Sequence, residues 1–219
     1  MNQTSQPSVT REAFWILPGV LLAALIWFFF FKPTVVTPPE LMQATLLPVA
    51  RSIQPFSLEQ IDSPPFTLDN LKGEWSFVFF GYTHCPDICP TTLQDLARVM
   101  KQLDEKPGKR EKPQVIFISV DPERDQGQQL TDYVRYFNDQ FIGITGSPDE
   151  LLTLTRQLGV IYAKVSGDAK ENYLVDHSAV VILFDPNGDF RAVFSAPHKA
   201  DAIVHDLGKI QQFFTASRL

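Results

Sequence analysis

Residues 75–90 read WSFVFFGYTHCPDICP and join a short apolar, aromatic run to a loop that holds two cysteines. The run at 75–82 predicts a buried β-strand, because short apolar runs rich in aromatic residues and bounded by glycine are typical of strands. Beyond it, apolar residues recur at helical spacing: Leu93, Leu96, Ala97, Met100 and Leu103. The stretch therefore predicts a strand, a loop and a helix. The loop lies at the carboxyl end of a strand, where open α/β sheets form their sites.

Strand and helix patterns alternate along the rest of the chain. Their order predicts a mixed α/β layer fold in which the early strands are parallel and central and a late hairpin is antiparallel. The hairpin signal is the sequence DPNG at 185–188, between two apolar runs. Short strands around Phe56 and Phe66 are expected to add a small ribbon. The further predicted elements are strands at 115–120, 141–145, 180–184 and 190–194 and helices over 130–137, 151–158 and 203–214.

The composition excludes several classes of protein. With 219 residues, of which 44% are hydrophobic and 20% charged, the chain resembles a globular protein with one ordinary domain plus appendages. A formal net charge of −6 lacks the surplus of Lys and Arg that phosphate binding needs, so we expect no nucleic-acid partner. Two cysteines are too few for a disulfide-rich scaffold or a four-thiolate cluster.

An uncharged run of 18 residues lies near the N-terminus, at 14–31. As a helix it would be about 27 Å long, just enough to cross a bilayer core. It exceeds the ~7–15 apolar residues of a cleaved signal peptide, which is the main alternative, and no A-x-A-like site follows it. We therefore predict a short tail (1–13) and a single transmembrane anchor (14–31). The expected location is the bacterial inner membrane, with the C-terminal domain in the periplasm.

Four prolines follow the anchor within residues 32–50 and predict an extended, semi-rigid spacer. Such a spacer would hold the folded part of the chain away from the membrane. Residues 51–219 would then form the domain, which is long enough for one well-buried core.

Cys85 and Cys89 are four residues apart at the predicted start of a helix, so their side chains share one face. Unpaired N–H groups and the partial positive charge at a helix N-terminus favour the thiolate form. The two sulfurs would then meet in a disulfide or share one metal ion. An inert structural disulfide is the alternative, but a crosslink across so short a loop gains little chain entropy. Redox or metal chemistry is therefore favoured.

A metal held by two thiolates needs a third ligand, and the chain has four histidines. His198 and His205 lie on or beside the last predicted helix and are interpreted as surface residues. His84 adjoins Cys85 and is expected either to tune its pKa or to face solvent. His177 comes just before a predicted buried strand, a position that by itself favours a structural role.

Three motifs in order resemble the Sco/SenC family, which consists of copper-binding assembly factors for respiratory cytochrome oxidase. The motifs are GYTHCPDICP at 81–90, SVDPERD at 119–125 and VDHSAVVILFDPNGDF at 175–190. The resemblance covers roughly residues 50–215 and the N-terminal anchor. It implies a thioredoxin-like fold, a central mixed sheet flanked by helices with a late β-hairpin, behind one transmembrane helix.

The same resemblance implies copper ligands at Cys85, Cys89 and His177, with Asp121 near the site rather than on the metal. Two thiolates and one imidazole suit three-coordinate Cu(I), and Cu(II) would use the same three with one more oxygen donor. A structural zinc site would normally have a fourth protein ligand.

The function implied by the resemblance is that of a membrane-anchored copper chaperone, a metallochaperone more than an enzyme. It would deliver copper to the CuA site of the copper-bearing subunit of cytochrome c oxidase, with a periplasmic copper donor and a thiol reductant as further partners. The alternative is a thiol–disulfide oxidoreductase in which Cys85 and Cys89 are the redox-active pair and reduce the cysteines of the oxidase copper site. The two differ at His177, which only the chaperone needs. A thiol peroxidase is disfavoured, because no arginine lies in the cysteine motif.

Overall fold

The computed structural model describes residues 18–22, 25, 27, 37–105, 111–165 and 173–217. It divides the chain into two units, Met1–Thr37 and Pro38–Leu219. In the first unit the described residues 18–22, 25 and 27 are helical, and the rest of the predicted anchor at 14–31 lies outside the described residues. No helix within the described part of the chain combines the length and the apolar character that crossing a membrane requires.

The second unit contains ten strands and four α-helices among its described residues. The strands are β1 (Ala44–Arg51), β2 (Ser57–Leu58), β3 (Phe66–Thr67), β4 (Ser76–Gly81), β5 (Gln114–Ser119), β6 (Ile142–Ile144), β7 (Tyr162–Val165), β8 (Leu174–His177), β9 (Val180–Phe184) and β10 (Phe190–Ser195). The helices are α1 (Ile88–Glu105), α2 (Gly127–Phe137), α3 (Pro148–Leu158) and α4 (Ala200–Ala216), and a short 3-10 helix covers Leu68–Leu71.

Six strands form the central sheet, in the order β1–β10–β9–β4–β5–β6. β4 pairs in parallel with β5 on one side and antiparallel with β9 on the other, which makes the sheet mixed. Every residue of β4 is buried, as the apolar run at 75–82 predicted. Helices α1 and α4 pack against each other, and α2 packs against β6. Because β4 and β5 are parallel, the loops that follow them emerge at the same edge of the sheet.

Residues 44–50 belong to the sheet, so the predicted spacer over 32–50 ends too late. They lie in β1, which pairs antiparallel with β10 at one edge. The Asp206 carboxylate on α4 fixes the start of this strand, because it accepts hydrogen bonds from the backbone N–H groups of residues 42–44 at 2.7 to 2.8 Å. The prediction from proline density is wrong here because an edge strand tolerates a proline such as Pro48.

One hairpin has no counterpart among the predicted elements. β7 and β8 form a separate antiparallel two-stranded sheet, in which Tyr162 lies opposite His177 and Val165 lies opposite Leu174. Both strands are short and mostly exposed, so they lack the apolar pattern from which strands are predicted. His177 is therefore the last residue of β8, and only residues 178–179 separate it from β9.

The other predicted elements are confirmed, with ends that differ by a few residues. α3 begins at a capping box formed by Ser147 and Glu150 and ends at Gly159, whose φ of 70° is left-handed. Gly188, with a φ of 80°, closes the β9–β10 turn that the DPNG sequence predicted. The β2–β3 ribbon is also present. The architecture is the predicted mixed α/β fold with one added hairpin.

Candidate metal centre

The side chains of Cys85, Cys89 and His177 meet beyond the carboxyl end of β4. Cys85 lies in the loop after that strand, Cys89 lies in the first turn of α1, and His177 is supplied by β8. One potential ligand atom from each residue lies within 4.8 Å of the other two. The Cys89 Sγ and His177 Nε2 atoms are 3.1 Å apart. Three elements that are distant in sequence thus form one group that could hold a metal ion.

The start of α1 orients the Cys85 sulfur. The Cys89 backbone N–H donates to Cys85 Sγ over 3.5 Å, and the Cys85 backbone N–H donates to the Tyr82 carbonyl oxygen over 3.3 Å. The first N–H groups of a helix have no partner within the helix, so a sulfur placed there satisfies one of them. The same amides favour negative charge on that sulfur.

Gly81 leaves the space in which the Cys89 sulfur lies. A β-carbon built on Gly81 would be 2.6 Å from Cys89 Sγ and 2.8 Å from a ring carbon of Phe117. Cys89 itself is fully buried, with 0% of its surface exposed, whereas Cys85 is half-buried. The absence of a side chain at position 81 is thus a requirement of this arrangement of sulfurs.

The two thiols differ strongly in acidity. The hydrogen bond from the Cys89 thiol lowers the pKa of Cys85 to about 3, with help from His177 and from the backbone N–H groups at the start of α1, and against the effect of burial. Burial raises the pKa of Cys89, and the neighbouring Cys85 sulfur raises it further. The expectation that the helix N-terminus favours the thiolate holds for Cys85 only, because burial outweighs it at Cys89. Before metal binds, the pair is therefore one thiolate and one thiol, and binding must displace the Cys89 proton.

Aromatic rings hold the His177 imidazole in place. Its ring lies edge-on to Phe79 and Tyr82, with centroid distances of 5.9 and 6.0 Å. The Nδ1 atom is 3.4 Å from the Ser178 carbonyl oxygen. Since a carbonyl only accepts hydrogen bonds, this contact favours a proton on Nδ1, and Nε2 is then the atom through which His177 would bind a metal.

Asp121 is fully buried and lies outside the three-residue cluster. Its carboxylate accepts hydrogen bonds from Arg124 Nε and from the Tyr173 hydroxyl, each at 2.5 Å. Asp125, in the same motif, contacts the cysteine loop directly and was missed by the sequence analysis. It accepts hydrogen bonds from the backbone N–H and the hydroxyl of Thr83, at 2.7 and 2.5 Å. The available signal was that Asp125 is the second aspartate of SVDPERD, a motif that begins at the end of a buried strand.

The remaining histidines have different environments. His205 is partly exposed and lies beside the Asp206 carboxylate on α4. His84 is exposed and directly precedes Cys85 in the cysteine loop. The surface interpretation of His198 is wrong, because only 6% of this residue is exposed. It lies in the turn before α4, where burial lowers the pKa of its imidazole while Asp95 and the Ala179 backbone oppose that shift. Within the described part of the chain, none of these three joins the metal-ligand cluster.

Comparisons with known proteins identify the family of the chain. Protein SCO1 homolog 1, mitochondrial, of Arabidopsis thaliana is 41% identical over 160 residues, which are 73% of this chain and 47% of that protein, so the chain spans about half the length of this curated relative. The crystal structures of Arabidopsis thaliana ScoI and of yeast Sco1, both with copper bound, are 40% and 32% identical, with TM-scores of 0.67 and 0.66. Each match covers 73% of this chain, and the two cover 98% and 87% of the respective structures. The SCO1/SenC family model matches residues 45–212, and the chain belongs to the SCO1/SenC family.

Proposed function

We propose that this chain binds copper through Cys85, Cys89 and His177. The observation that carries the proposal is the convergence of their three ligand atoms within 4.8 Å. Two sulfurs and one imidazole nitrogen are soft or borderline donors and suit Cu(I). A structural zinc site would use a fourth protein ligand, and no further His, Cys, Asp or Glu of the described residues joins the group. The two copper-bound relatives support the same metal.

The proposed role of the bound copper is delivery to another protein. A three-ligand shell leaves a position open, through which a ligand of the acceptor can reach the metal and begin its transfer. Cys85 and His177 are half-buried whereas Cys89 is enclosed, so the side of Cys85 and His177 is the open approach to the metal. Membership of the SCO1/SenC family supports the copper-bearing subunit of cytochrome c oxidase, at its CuA site, as the acceptor.

The acidity of Cys85 supports thiol–disulfide exchange as a second function of the same residues. A thiolate at neutral pH is the attacking form, and Cys89 lies close enough to resolve a mixed disulfide. Such an activity would reduce the cysteines of the oxidase copper site before copper arrives. Exchange needs the two sulfurs but not the imidazole, so His177→Ala separates the two functions.

We also propose that the N-terminal segment tethers this domain to the bacterial inner membrane, with the domain in the periplasm. The support is the uncharged run at 14–31, and the described residues 18–22 within it are helical. Confinement of donor and acceptor to one membrane raises their effective concentration. Recovery of the full chain in the membrane fraction, and of a variant without residues 1–31 in the soluble fraction, is the expected result. A full chain found in the soluble fraction would contradict the tether.

The copper site is tested by anaerobic titration of the reduced full chain with Cu(I) against a competing chelator. We expect one copper per chain, and a strong loss of affinity in each of Cys85→Ser, Cys89→Ser and His177→Ala. His205→Ala is the matched control, because it removes an imidazole on α4 that is not part of the cluster, and it should leave the affinity unchanged. Binding that is indifferent to His177→Ala would overturn the three-ligand site.

A further inference from the structure

The hairpin that supplies His177 is attached to the domain mainly by side chains. Its strands β7 and β8 pair with each other, and within the described residues no backbone hydrogen bond joins them to the six-stranded sheet. Val175 is buried, but Val165 and Leu174 at the far end are 40% and 53% exposed. An isolated two-stranded hairpin is marginally stable in water, so contacts with the rest of the domain must fix its position.

Tyr173, the described residue just before β8, makes three of these contacts. Its hydroxyl donates to Asp121 Oδ1 over 2.5 Å, and its backbone carbonyl accepts a hydrogen bond from Arg124 Nη1 over 3.1 Å. The Arg124 guanidinium lies over the Tyr173 ring, 3.7 Å from its centroid. Hydrogen bonding and a cation–π contact therefore join this end of the hairpin to one short turn after β5.

The turn is itself rigidly held. Asp121 is fully buried, and it binds Arg124 Nε with its second oxygen over 2.5 Å. The turn also pairs with the other strand of the hairpin, since Lys164 Nζ lies 2.8 Å from a Glu123 carboxylate oxygen and 4.7 Å from the Tyr173 ring centroid. Both strands of the hairpin thus have partners in residues 121–124.

The contacts continue from this turn to the metal ligand. The Arg124 guanidinium lies 5.6 Å from the centroid of the Tyr82 ring, and that ring makes a T-shaped contact with the imidazole of His177. The hydroxyl group of Tyr82 also interacts with the backbone of Val175 on β8. Arg124 therefore lies between the two aromatic residues that fix the hairpin, Tyr173 at its far end and Tyr82 beside His177.

We propose that Asp121, Arg124 and Tyr173 form a latch that positions His177 for copper. The latch holds the β7–β8 hairpin against the sheet edge, so that the imidazole reaches the metal already oriented. Its members do not touch the metal and are positioning residues. The inference rests on the proposed copper site and adds to it the reason why a ligand on a separate hairpin stays in place.

The test is a double-mutant cycle on Cu(I) affinity in the full chain. Arg124→Met keeps the length of the side chain but removes its charge and hydrogen bonds. We expect it to lower the affinity about 10- to 100-fold, as loss of the partners around a metal ligand does. If Arg124 acts only through His177, adding Arg124→Met to His177→Ala should cost no more than about a further twofold, the margin within which independent substitutions add. An equal His177→Ala loss in both backgrounds would overturn the latch.

Arg191→Met is the matched control. Arg191 also pairs with a buried aspartate, Asp185, and lies over an aromatic ring, that of Phe214, but it is on β10 rather than against the hairpin. Its loss should lower stability without changing the effect of His177→Ala. If Arg124→Met fails to fold, Tyr173→Phe takes its place as the test. It removes the hydrogen bonds of the hydroxyl to Asp121 and Glu123 and should give a partial loss of affinity. Wild-type affinity in Tyr173→Phe and in a folded Tyr173→Leu would also overturn the proposal.

Hydrogen exchange on the metal-free chain gives a readout that does not need copper. The β7–β8 amides should exchange at least about tenfold faster in Arg124→Met, while those of β4 and β5 stay protected. Unchanged exchange in the hairpin would overturn the latch even if copper binding were affected. Conversely, if the parent chain does not bind Cu(I) but Arg124→Met still speeds exchange in the hairpin, the copper site is refuted and the mechanical part of the latch stands.

Discussion

Gly81→Ala is expected to disturb the copper site by displacing one sulfur. The new β-carbon would lie 2.6 Å from Cys89 Sγ, whereas ordinary contact begins at 3.4 Å, so the sulfur must move by about 0.8 Å. Metal–ligand distances tolerate only about 0.2 Å. The backbone of Gly81 has little freedom to yield instead, because Phe117 lies 2.8 Å from the same β-carbon position. We therefore expect the Cu(I) affinity to fall about 10- to 100-fold.

The accompanying loss of stability should be about 1–3 kcal/mol, the usual cost of adding a methyl group to a packed core. Gly143→Ala is the control, because its β-carbon would lie 3.1 Å from Leu130 Cγ and from the Leu130 carbonyl oxygen, next to α2. It should lower stability while leaving the copper affinity unchanged. Urea unfolding and the chelator competition, run on both variants, separate the two effects. A folded Gly81→Ala chain with the parent affinity would refute the reasoning.

Two further perturbations test the acid–base properties of the chain. Burial raises the pKa of Asp206, but the hydrogen bonds from the backbone of residues 42–44 and from His205 together lower it more, so the net pKa is below the usual aspartate value. Asp206→Asn should therefore cost about 1–3 kcal/mol of unfolding free energy above roughly pH 4, and the difference should vanish as the pH falls through the lowered pKa. A difference between the urea midpoints of the parent and Asp206→Asn that stays constant at all pH values would contradict this. In the reduced, metal-free chain, iodoacetamide should modify Cys85 before Cys89, at a rate nearly constant from pH 7 to pH 5, because the Cys85 pKa is about 3. A rate that falls about tenfold per pH unit would indicate an ordinary thiol.

Strong local patterns made most of the fold predictable from the sequence. The run at 75–82 is buried on both faces of a central strand, and DPNG turns the chain between β9 and β10 as expected. The predictions failed where the deciding contacts are distant in sequence. β1 is a strand because it pairs with β10 and because Asp206 accepts hydrogen bonds at its start. The local sequence at 32–50 contains no sign of either partner. The β7–β8 hairpin was missed for another reason, because its short, mostly exposed strands lack an apolar pattern.

The site was predictable in its residue types but not in its electrostatics. The spacing of Cys85 and Cys89 placed both sulfurs at one helix start, and the family resemblance added His177, which a local interpretation assigned to a structural role. The asymmetry between the two thiols depends on the full burial of Cys89, which follows from packing behind Gly81. The same limit applies to Asp121, whose partner Tyr173 lies 52 positions away.

X-ray absorption at the copper edge tests the three-ligand site most directly. On the Cu(I)-loaded full chain, we expect two sulfur scatterers and one imidazole around the copper, and we expect the imidazole contribution to disappear in His177→Ala. The positions of Cys85, Cys89 and His177 predict this result, since one ligand atom of each residue lies within 4.8 Å of the other two. A parent spectrum with sulfur scatterers alone, or one that is unchanged by His177→Ala, would contradict the proposed copper site.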